Sequence, residues 1–182
     1  MTPMLFHTLF DTKLGRCGLV WGPGGIKAAS FPEETDAATR ARLLRGRSAA
    51  EETSSPPQAV ARIIEDVRAL FEGAPRDLAY ADLDLDGLPE FDRAVFDLTL
   101  AIKPGETRAY GDLARDLGDA GLSRRVGQAL GRNPIPIIVP CHRVVGANGL
   151  MTGFSAPGGT DTKLKLLKIE GALEPDLFDG FA

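Results

Sequence analysis

The sequence predicts an α/β protein of the α+β type, in which an antiparallel sheet comes first and helices follow. Short apolar stretches separated by turns fill the first part of the chain, apolar residues then recur at helical spacing, and Gly and Pro divide the second half into short helices. The chain has 182 residues, of which 43% are hydrophobic and 25% charged, as is typical of a globular protein. This length accommodates one compact domain or two small ones.

The first part of the chain contains three predicted strands, at residues 4–10, 17–21 and 26–31. A Gly-Pro-Gly-Gly turn at residues 22–25 connects the last two, so the three strands form an antiparallel meander. The charged, Ala-rich segment 33–47 predicts an exposed helix.

A second helix is predicted to begin near Pro57 and to end at Gly73, because the apolar residues between them follow a helical period. Leu83 and Leu85 alternate with aspartates, which predicts a short strand with one polar face. The organisation changes near residue 88, and we expect two domains, an α/β scaffold at 1–87 and a helical domain at 88–182.

The second half begins with three predicted helices, at residues 91–100, 111–117 and 122–130. Ser123 is the expected N-cap of the third helix. Two short helices joined by a Gly-containing turn, with arginines at the start of the second, are typical of a helix-turn-helix, although many other helical pairs share the pattern.

The net charge of −4, from 21 basic and 25 acidic side chains, argues against a nucleic-acid-binding protein when taken whole. The charge is uneven, however, since residues 121–170 contain seven basic and two acidic side chains. Such a stretch can bind phosphates, and a solvated surface is the alternative. No apolar run approaches the ~18 residues that span a bilayer, and residues 1–10 lack a secretory pattern, so no membrane partner is expected.

Cys141 is the informative one of the two cysteines. It follows an apolar, Pro-rich run and precedes His142 and Arg143, in the segment Asn-Pro-Ile-Pro-Ile-Ile-Val-Pro-Cys-His-Arg-Val-Val at 133–145. A base or a positive charge beside a thiol favours the nucleophilic thiolate. A buried cysteine beside an incidental histidine is the alternative. Two cysteines are too few for a disulfide scaffold. Apart from Cys141 and His142, only His7 and Cys17 could bind zinc, and two ligands are too few for a site, so no metal is expected.

This segment resembles the active-site segment of the O6-alkylguanine-DNA alkyltransferases, whose signature is Pro-Cys-His-Arg-Val. Four further blocks resemble that family in the same order: Tyr-Gly-Asp-Leu-Ala at 110–114, Ser-Arg-Arg-Val-Gly-Gln-Ala-Leu at 123–130, Gly-Phe-Ser at 153–155 and Lys-Leu-Lys-Leu-Leu-Lys-Ile-Glu-Gly at 163–171. The resemblance covers about residues 88–172 and is only architectural over 1–87. It implies a ribonuclease-H-like three-stranded antiparallel sheet with helices, followed by a winged helix-turn-helix-like domain that carries the active site.

The resemblance implies a DNA repair protein that flips O6-alkylguanine out of double-stranded DNA. The alkyl group would pass irreversibly to Cys141 in a single turnover, with O4-alkylthymine as a secondary substrate. The resemblance thus implies a methylated-DNA–protein-cysteine S-methyltransferase. It further implies that this protein needs no cofactor, acts as a monomer and resides in the cytoplasm.

By the same resemblance, His142 is the base that acts on Cys141 through a water, and Glu170 orients its imidazole. Asn133 holds the turn that carries the thiol, and Tyr110 crowds a phosphate and donates to the leaving guanine.

The remaining roles implied by the resemblance concern DNA and the substrate pocket. Arg124 is the finger that replaces the flipped base. The expected DNA-binding residues further include Tyr110, Ser123, Arg125, Gly127 and Arg132, and a plain surface position is the alternative for Arg125 and Arg132. The expected substrate pocket is formed by Arg143, Val144, Gly153, Phe154, Ser155 and Lys163, of which Lys163 is expected to hold the substrate loop at 153–155 or to aid the leaving group. In this chain Arg125 stands where the family usually has a small residue, and Phe154 where a tyrosine is frequent.

Three alternatives remain. A non-catalytic alkyltransferase-like protein would flip damaged bases without repairing them, but those relatives carry another residue at the position of Cys141. A helix-turn-helix regulator would use Cys141 structurally and bind intact DNA by sequence. A cysteine hydrolase would need an oxyanion hole, which the segment does not offer.

Overall fold

The computed structural model describes residues 3–174 of the chain, so the last eight residues of the expected C-terminal domain lie outside it. The N-terminal half contains an antiparallel meander, as the sequence predicts, with strands β1 (Phe6–Thr12), β2 (Gly15–Gly22) and β3 (Gly25–Ser30). A fourth strand that the sequence analysis did not predict, β4 (Glu51–Glu52), pairs in parallel with β1, giving the order β3-β2-β1-β4. Two exposed glutamates carry no apolar alternation, so local pattern could not reveal β4.

The predicted strand at Leu83 and Leu85 is wrong, because only a single parallel bridge forms between Leu83 and Ile26. The backbone of Ile26 donates to Asp82 O at 2.8 Å and accepts from Asp84 N at 2.8 Å. This segment therefore passes along the edge of β3 without extending the sheet.

Six α-helices occur among the described residues: α1 (Asp36–Leu43), α2 (Gln58–Phe71), α3 (Glu90–Leu100), α4 (Tyr110–Asp116), α5 (Ser123–Gly131) and α6 (Gly159–Ile169). The helix predicted at 33–47 is shorter at both ends. It begins at Asp36 because Thr35 caps α1, accepting a hydrogen bond from Ala38 N at 3.1 Å, and it ends at Leu43. Within residues 3–174, no helix is long and apolar enough to cross a membrane.

One hydrophobic cluster runs through both halves of the chain. It joins Leu19 of the sheet, Phe71 of α2 and Phe96 of α3 to Ile138, which lies just before Cys141. A backbone hydrogen bond of 3.0 Å from Ala29 N to Pro134 O also links β3 to the active-site segment. The sheet therefore supports the segment that carries the candidate nucleophile.

Helices α4 and α5 form the helix pair that the sequence predicts, joined by a 3-10 turn at Ala120–Leu122. Asp119 caps that turn by accepting from Gly121 N at 2.8 Å. The prediction that Ser123 caps α5 is wrong. Ser123 is the first residue of the helix, and its hydroxyl donates to Ala120 O at 2.9 Å, since the 3-10 turn leads directly into α5.

A two-stranded parallel sheet brings α4 to the candidate site. Strand β5 (Arg108–Ala109) directly precedes Tyr110, and β6 (Val144–Val145) directly follows the Cys-His-Arg turn. Because the two strands pair, the start of α4 is joined through the backbone to the segment that carries Cys141.

Candidate active site

Cys141 lies in a tight 3-10 turn, Cys141–Arg143, and is 8% exposed. Asn133 shapes the loop before it: its side chain accepts from Ile135 N at 2.9 Å and donates to Val139 O at 3.1 Å. Ile137 adopts a φ of 77°, a conformation that is strained for a β-branched residue. The loop is thus held in one shape that delivers the thiol to the site.

Burial raises the pKa of the Cys141 thiol above its ordinary value. A side-chain hydrogen bond from Asn133 and the positive charge of Lys163 act in the opposite direction and favour the thiolate. The resting thiol is therefore protonated at neutral pH, and reaction requires a group that accepts its proton.

His142 has one ring nitrogen paired and one unpaired. Its Nε2 lies 2.8 Å from Glu170 Oε1, and both side chains are 1% exposed. Its Nδ1 is buried without a hydrogen-bond partner in the structure. When Nε2–H donates to Glu170, the lone pair of Nδ1 is free to accept a proton.

The electrostatics of this pair keep the imidazole neutral and the carboxylate ionised. Burial lowers the pKa of His142, and Glu170 only partly opposes that effect. Burial alone would raise the pKa of Glu170, but the hydrogen bonds from His142 and Arg143 and the positive charge of Arg143 hold it at about 2. A neutral imidazole beside a carboxylate is the arrangement that general-base catalysis requires.

Arg143 is not a pocket residue, contrary to its assignment from the resemblance. Its guanidinium is buried and makes two hydrogen bonds of 2.9 Å to Glu170 and one of 2.8 Å to Ile102 O. Its role in the structure is to fix the carboxylate that in turn holds His142. The motif gave the order of the residues, but it did not show which way the side chain points.

Two cavities border Cys141. One, of about 350 Å³, is lined by Cys141 and by seven residues from α4, α5 and the substrate loop at 153–155: Tyr110, Gly127, Leu130, Gly131, Gly153, Phe154 and Ser155. The other, of about 250 Å³, lies toward β3 and α1 and includes Asn133, Arg132 and Arg42. Phe154 and Ser155 border both cavities, so the substrate loop contributes to the shape of each.

Tyr110 lines the first cavity, and its hydroxyl is contacted by Lys163. The Lys163 ammonium is fully buried, lies 3.4 Å from the Tyr110 hydroxyl and donates to Thr152 O at 3.2 Å. Gly127 lies beside the Tyr110 ring, and a Cβ at this position would be in ordinary van der Waals contact with the ring at 3.7 Å.

Two further residues predicted to line the pocket do not border either cavity. Val144 is fully buried in β6, and Lys163 acts through Tyr110 and Thr152. The assignment of Val144 to the pocket is wrong because closeness in sequence to Cys141 does not determine which side chains face the open space. The contact of Lys163 with Thr152 O agrees with the expectation that Lys163 holds the substrate loop.

The three predicted DNA-binding arginines differ in their surroundings. Arg124 is exposed at the first turn of α5. Arg125 stacks on the Phe91 ring, 4.1 Å from its centroid, and Arg132 makes two hydrogen bonds to Asp92, of 2.8 and 3.0 Å. The stacking holds the Arg125 guanidinium against α3.

Two residues of the N-terminal half that reach the substrate loop were missed by the sequence analysis. Arg42 Nη2 donates to Ser155 O at 2.5 Å, and the Phe31 ring packs edge-on against Phe154 with centroids 6.0 Å apart. Arg42 and Ser155 are 113 residues apart, and no local pattern signals such a contact.

The site thus consists of a cysteine, an unpaired imidazole nitrogen and a buried carboxylate, next to a helix pair of the DNA-binding type. No group of three or more metal-binding side chains occurs in the part of the chain that the structure describes. A family model described as the DNA-binding domain of 6-O-methylguanine DNA methyltransferase matches residues 90–172.

Similar proteins cover nearly the whole chain. The methylated-DNA–protein-cysteine methyltransferase of Methanothermobacter thermautotrophicus is 34% identical over 167 residues, 92% of this chain and 83% of that protein. That of Methanosarcina acetivorans is 35% identical over 170 residues, 92% of this chain and 99% of the relative. A crystal structure of Mycobacterium tuberculosis OGT in complex with DNA has a TM-score of 0.72 and 34% identity, covering 92% of this chain and 93% of that one. The chain belongs to the methylated-DNA–protein-cysteine methyltransferase family.

Proposed function

We propose that this protein repairs DNA by transferring an alkyl group from O6 of guanine to its own Cys141. One observation carries the proposal: Cys141 borders a cavity beside the helix pair, and the unpaired Nδ1 of the adjacent His142 can accept its proton. The names of the relatives, methylated-DNA–protein-cysteine methyltransferase, agree with this chemistry.

The reaction is a displacement at saturated carbon. The thiol proton passes through a water to Nδ1 of His142, and Glu170 stabilises the resulting imidazolium. The sulfur then forms a bond to the alkyl carbon while the bond from that carbon to O6 breaks. The electron pair of the broken carbon–O6 bond stays with the guanine, which gains one proton. The net reaction converts O6-alkylguanine and a thiol into guanine and a thioether. A thioether is not readily cleaved, so each molecule reacts once.

The leaving guanine needs a proton donor, for which the Tyr110 hydroxyl is suited. Tyr110 borders the same cavity as Cys141, and the Lys163 ammonium donates to its hydroxyl oxygen at 3.4 Å, which leaves the phenol hydrogen free to donate to the base. The backbone N–H of Ser155 is proposed to donate to O6, with Phe154 as the apolar wall and Gly153 providing room.

We propose that double-stranded DNA containing O6-alkylguanine is the partner, bound through α5. Extruding a base costs a few kcal/mol of stacking, and the exposed Arg124 guanidinium is placed to replace part of it. Ser123, Gly127, Arg125 and Arg132 complete the proposed surface. O4-alkylthymine is proposed as a secondary substrate with the same displacement chemistry.

Three further proposals concern organisation. A monomer acts, because Cys141, His142 and Glu170 all come from one chain. The protein works in the cytoplasm, where thiols are kept reduced. The division into domains at 87/88 is supported by the start of the family match at residue 90.

A stoichiometric repair assay tests this function. A duplex with one O6-methylguanine is incubated with increasing protein, and restored guanine is counted after nuclease digestion. We expect restored guanine to plateau at one per protein molecule, and a Cys141→Ser variant to restore none. A plateau above one would indicate a turnover enzyme. Binding of the damaged duplex without restored guanine would indicate a non-catalytic alkyltransferase-like protein. Equal affinity for the damaged and the intact duplex would indicate a helix-turn-helix regulator.

A further inference from the structure

The substrate loop at residues 153–155 is held by the N-terminal half of the chain as well as by its neighbours. Arg42 Nη2 on α1 donates to Ser155 O at 2.5 Å. The Phe31 ring, 2% exposed at the end of β3, contacts the adjacent Phe154 ring. Two consecutive loop residues are therefore fixed from a part of the fold that contributes no reacting group.

Both contacts are anchored in turn. The other terminal nitrogen of Arg42 donates to Glu33 Oε1 at 3.1 Å, and Glu33 N donates to the buried Thr39 hydroxyl at 2.9 Å. The Phe31 ring stacks on Phe71 of α2, with centroids 6.3 Å apart and planes inclined by 13°. The guanidinium thus bridges a fixed carboxylate and the loop carbonyl, a use of two donors that suits its planar geometry.

We propose that Arg42 is a positioning residue for alkyl transfer, holding the substrate loop at the distance from Cys141 that the reaction needs. This inference rests on the proposed function. Ser155 and Phe154 border both cavities next to Cys141, so displacement of the loop changes the shape of the space in which the alkyl carbon approaches sulfur. A misplacement of about 1 Å can reduce a rate by about a hundredfold.

The contact controls local geometry more than global stability. The Arg42 side chain is 39% exposed and Glu33 25%, and exposed ion pairs of this kind contribute little to the free energy of unfolding. Holding the carbonyl of Ser155 restricts rotation of that residue, and so limits the directions in which its N–H can donate to a substrate oxygen. Loss of Arg42 is thus expected to slow the chemical step while the protein remains folded.

The experiment compares Arg42→Ala and Arg42→Lys with Arg40→Ala as the matched control. Arg40 lies on the same helix and its removal changes the charge equally, but its guanidinium binds Glu52 at 2.8 Å and does not contact the loop. Two quantities are measured, the amide hydrogen exchange of residues 152–157 in the free protein and the single-turnover rate at saturating O6-methylguanine duplex. Affinity for the duplex is measured separately.

In Arg42→Ala we expect faster exchange in the loop and a rate reduced by about ten- to a hundredfold, with affinity almost unchanged. Arg42→Lys recovers part of the rate, because an ammonium can donate to the carbonyl but does not bridge two acceptors as a planar fork does. Arg40→Ala behaves as the wild type does.

Unchanged loop exchange and an unchanged rate in Arg42→Ala would overturn the inference. An equal loss in Arg40→Ala would also overturn it, since charge rather than the loop contact would then be responsible. If the wild-type protein transfers no methyl group, the proposed function fails, whereas unchanged loop exchange beside normal wild-type transfer refutes the inference alone. Glu33→Gln, which keeps Arg42, serves in its place if Arg42→Ala does not fold, and the same increase in exchange and loss of rate are expected.

Discussion

Glu170 Oε1 lies 2.8 Å from Nε2 of His142, and both side chains are almost completely shielded from water. This contact fixes the imidazole so that its other nitrogen, Nδ1, has no protein partner. Arg143 binds the same carboxylate through two hydrogen bonds, so that one buried carboxylate serves both a base and a cation. The first predictions follow from this arrangement.

Replacing His142 with Ala should slow alkyl transfer by about 10² to 10⁴, the usual contribution of a general base. The expected loss is confined to the chemical step, because His142 is buried and contacts Glu170 rather than solvent. Quenched single-turnover kinetics provide the rate, and fluorescence anisotropy provides the affinity for damaged duplex. A variant that retains the wild-type rate at saturation would contradict the role of His142 as base.

Glu170→Gln should destabilise the fold by about 3 kcal/mol, because it leaves the Arg143 guanidinium buried without a negative partner. Urea unfolding of the wild type and the variant measures the difference. Glu65→Gln, in an exposed pair with Arg68, is the control and should change the free energy of unfolding by less than about 1 kcal/mol. Equal stability of Glu170→Gln and the wild type would show that the buried pair is not needed.

The pH dependence of stability follows from the same carboxylate. The pKa of Glu170 is lowered from 4.5 to about 2 in the folded protein, so its contribution is present above pH 4.5. It is lost as the pH falls from 4.5 through about 2. The stability difference between wild type and Glu170→Gln should therefore narrow over that interval, as urea titrations at successive pH values can show. A constant difference down to pH 2 would refute the assignment.

The two cysteines should differ in reactivity toward iodoacetamide. Burial raises the pKa of both thiols, that of Cys17 to about 12, but Cys141 borders two cavities whereas Cys17 is fully buried. Labelling of Cys141 in the free protein should increase with pH and still be rising at pH 9, while Cys17 remains unlabelled until the protein unfolds. Peptide mass mapping distinguishes them. Preferential labelling of Cys17 would contradict the placement of both residues.

Arg124→Ala should reduce the preference for damaged over intact duplex, since the exposed guanidinium is proposed to fill the space of the extruded base. The salt dependence of binding should change by at most about one phosphate contact. Arg68→Ala on α2, which removes the same charge from the N-terminal half, should leave both quantities unchanged. If the preference is unaltered in Arg124→Ala, another residue occupies the stack.

Much of the fold was accessible from sequence because it depends on local patterns. The meander was predicted from alternation and a glycine-rich turn, and α2 from six buried apolar residues at helical spacing. Strand β4 was not predicted, because Glu51 and Glu52 show no apolar alternation and pair with β1 only through their backbones.

For the site, the sequence showed that Cys141 and His142 are adjacent, but it did not show in which direction the neighbouring side chains point. Arg143 and Val144 follow them directly, yet one points to Glu170 and the other into the core. The contact of Arg42 with Ser155 depends on tertiary structure alone. The acidic net charge was likewise a poor guide, since the basic stretch at residues 121–170 includes the exposed start of α5.

The central claim is that the alkyl group moves from the base to Cys141, and an isotopic label follows that group directly. A duplex containing guanine with a trideuteromethyl group on O6 is incubated with the protein, which is then digested and mapped by mass spectrometry. The account predicts that the peptide containing Cys141 gains one trideuteromethyl group in place of a hydrogen, while that of Cys17 is unchanged. Restored guanine in the DNA with no label on Cys141 would contradict it.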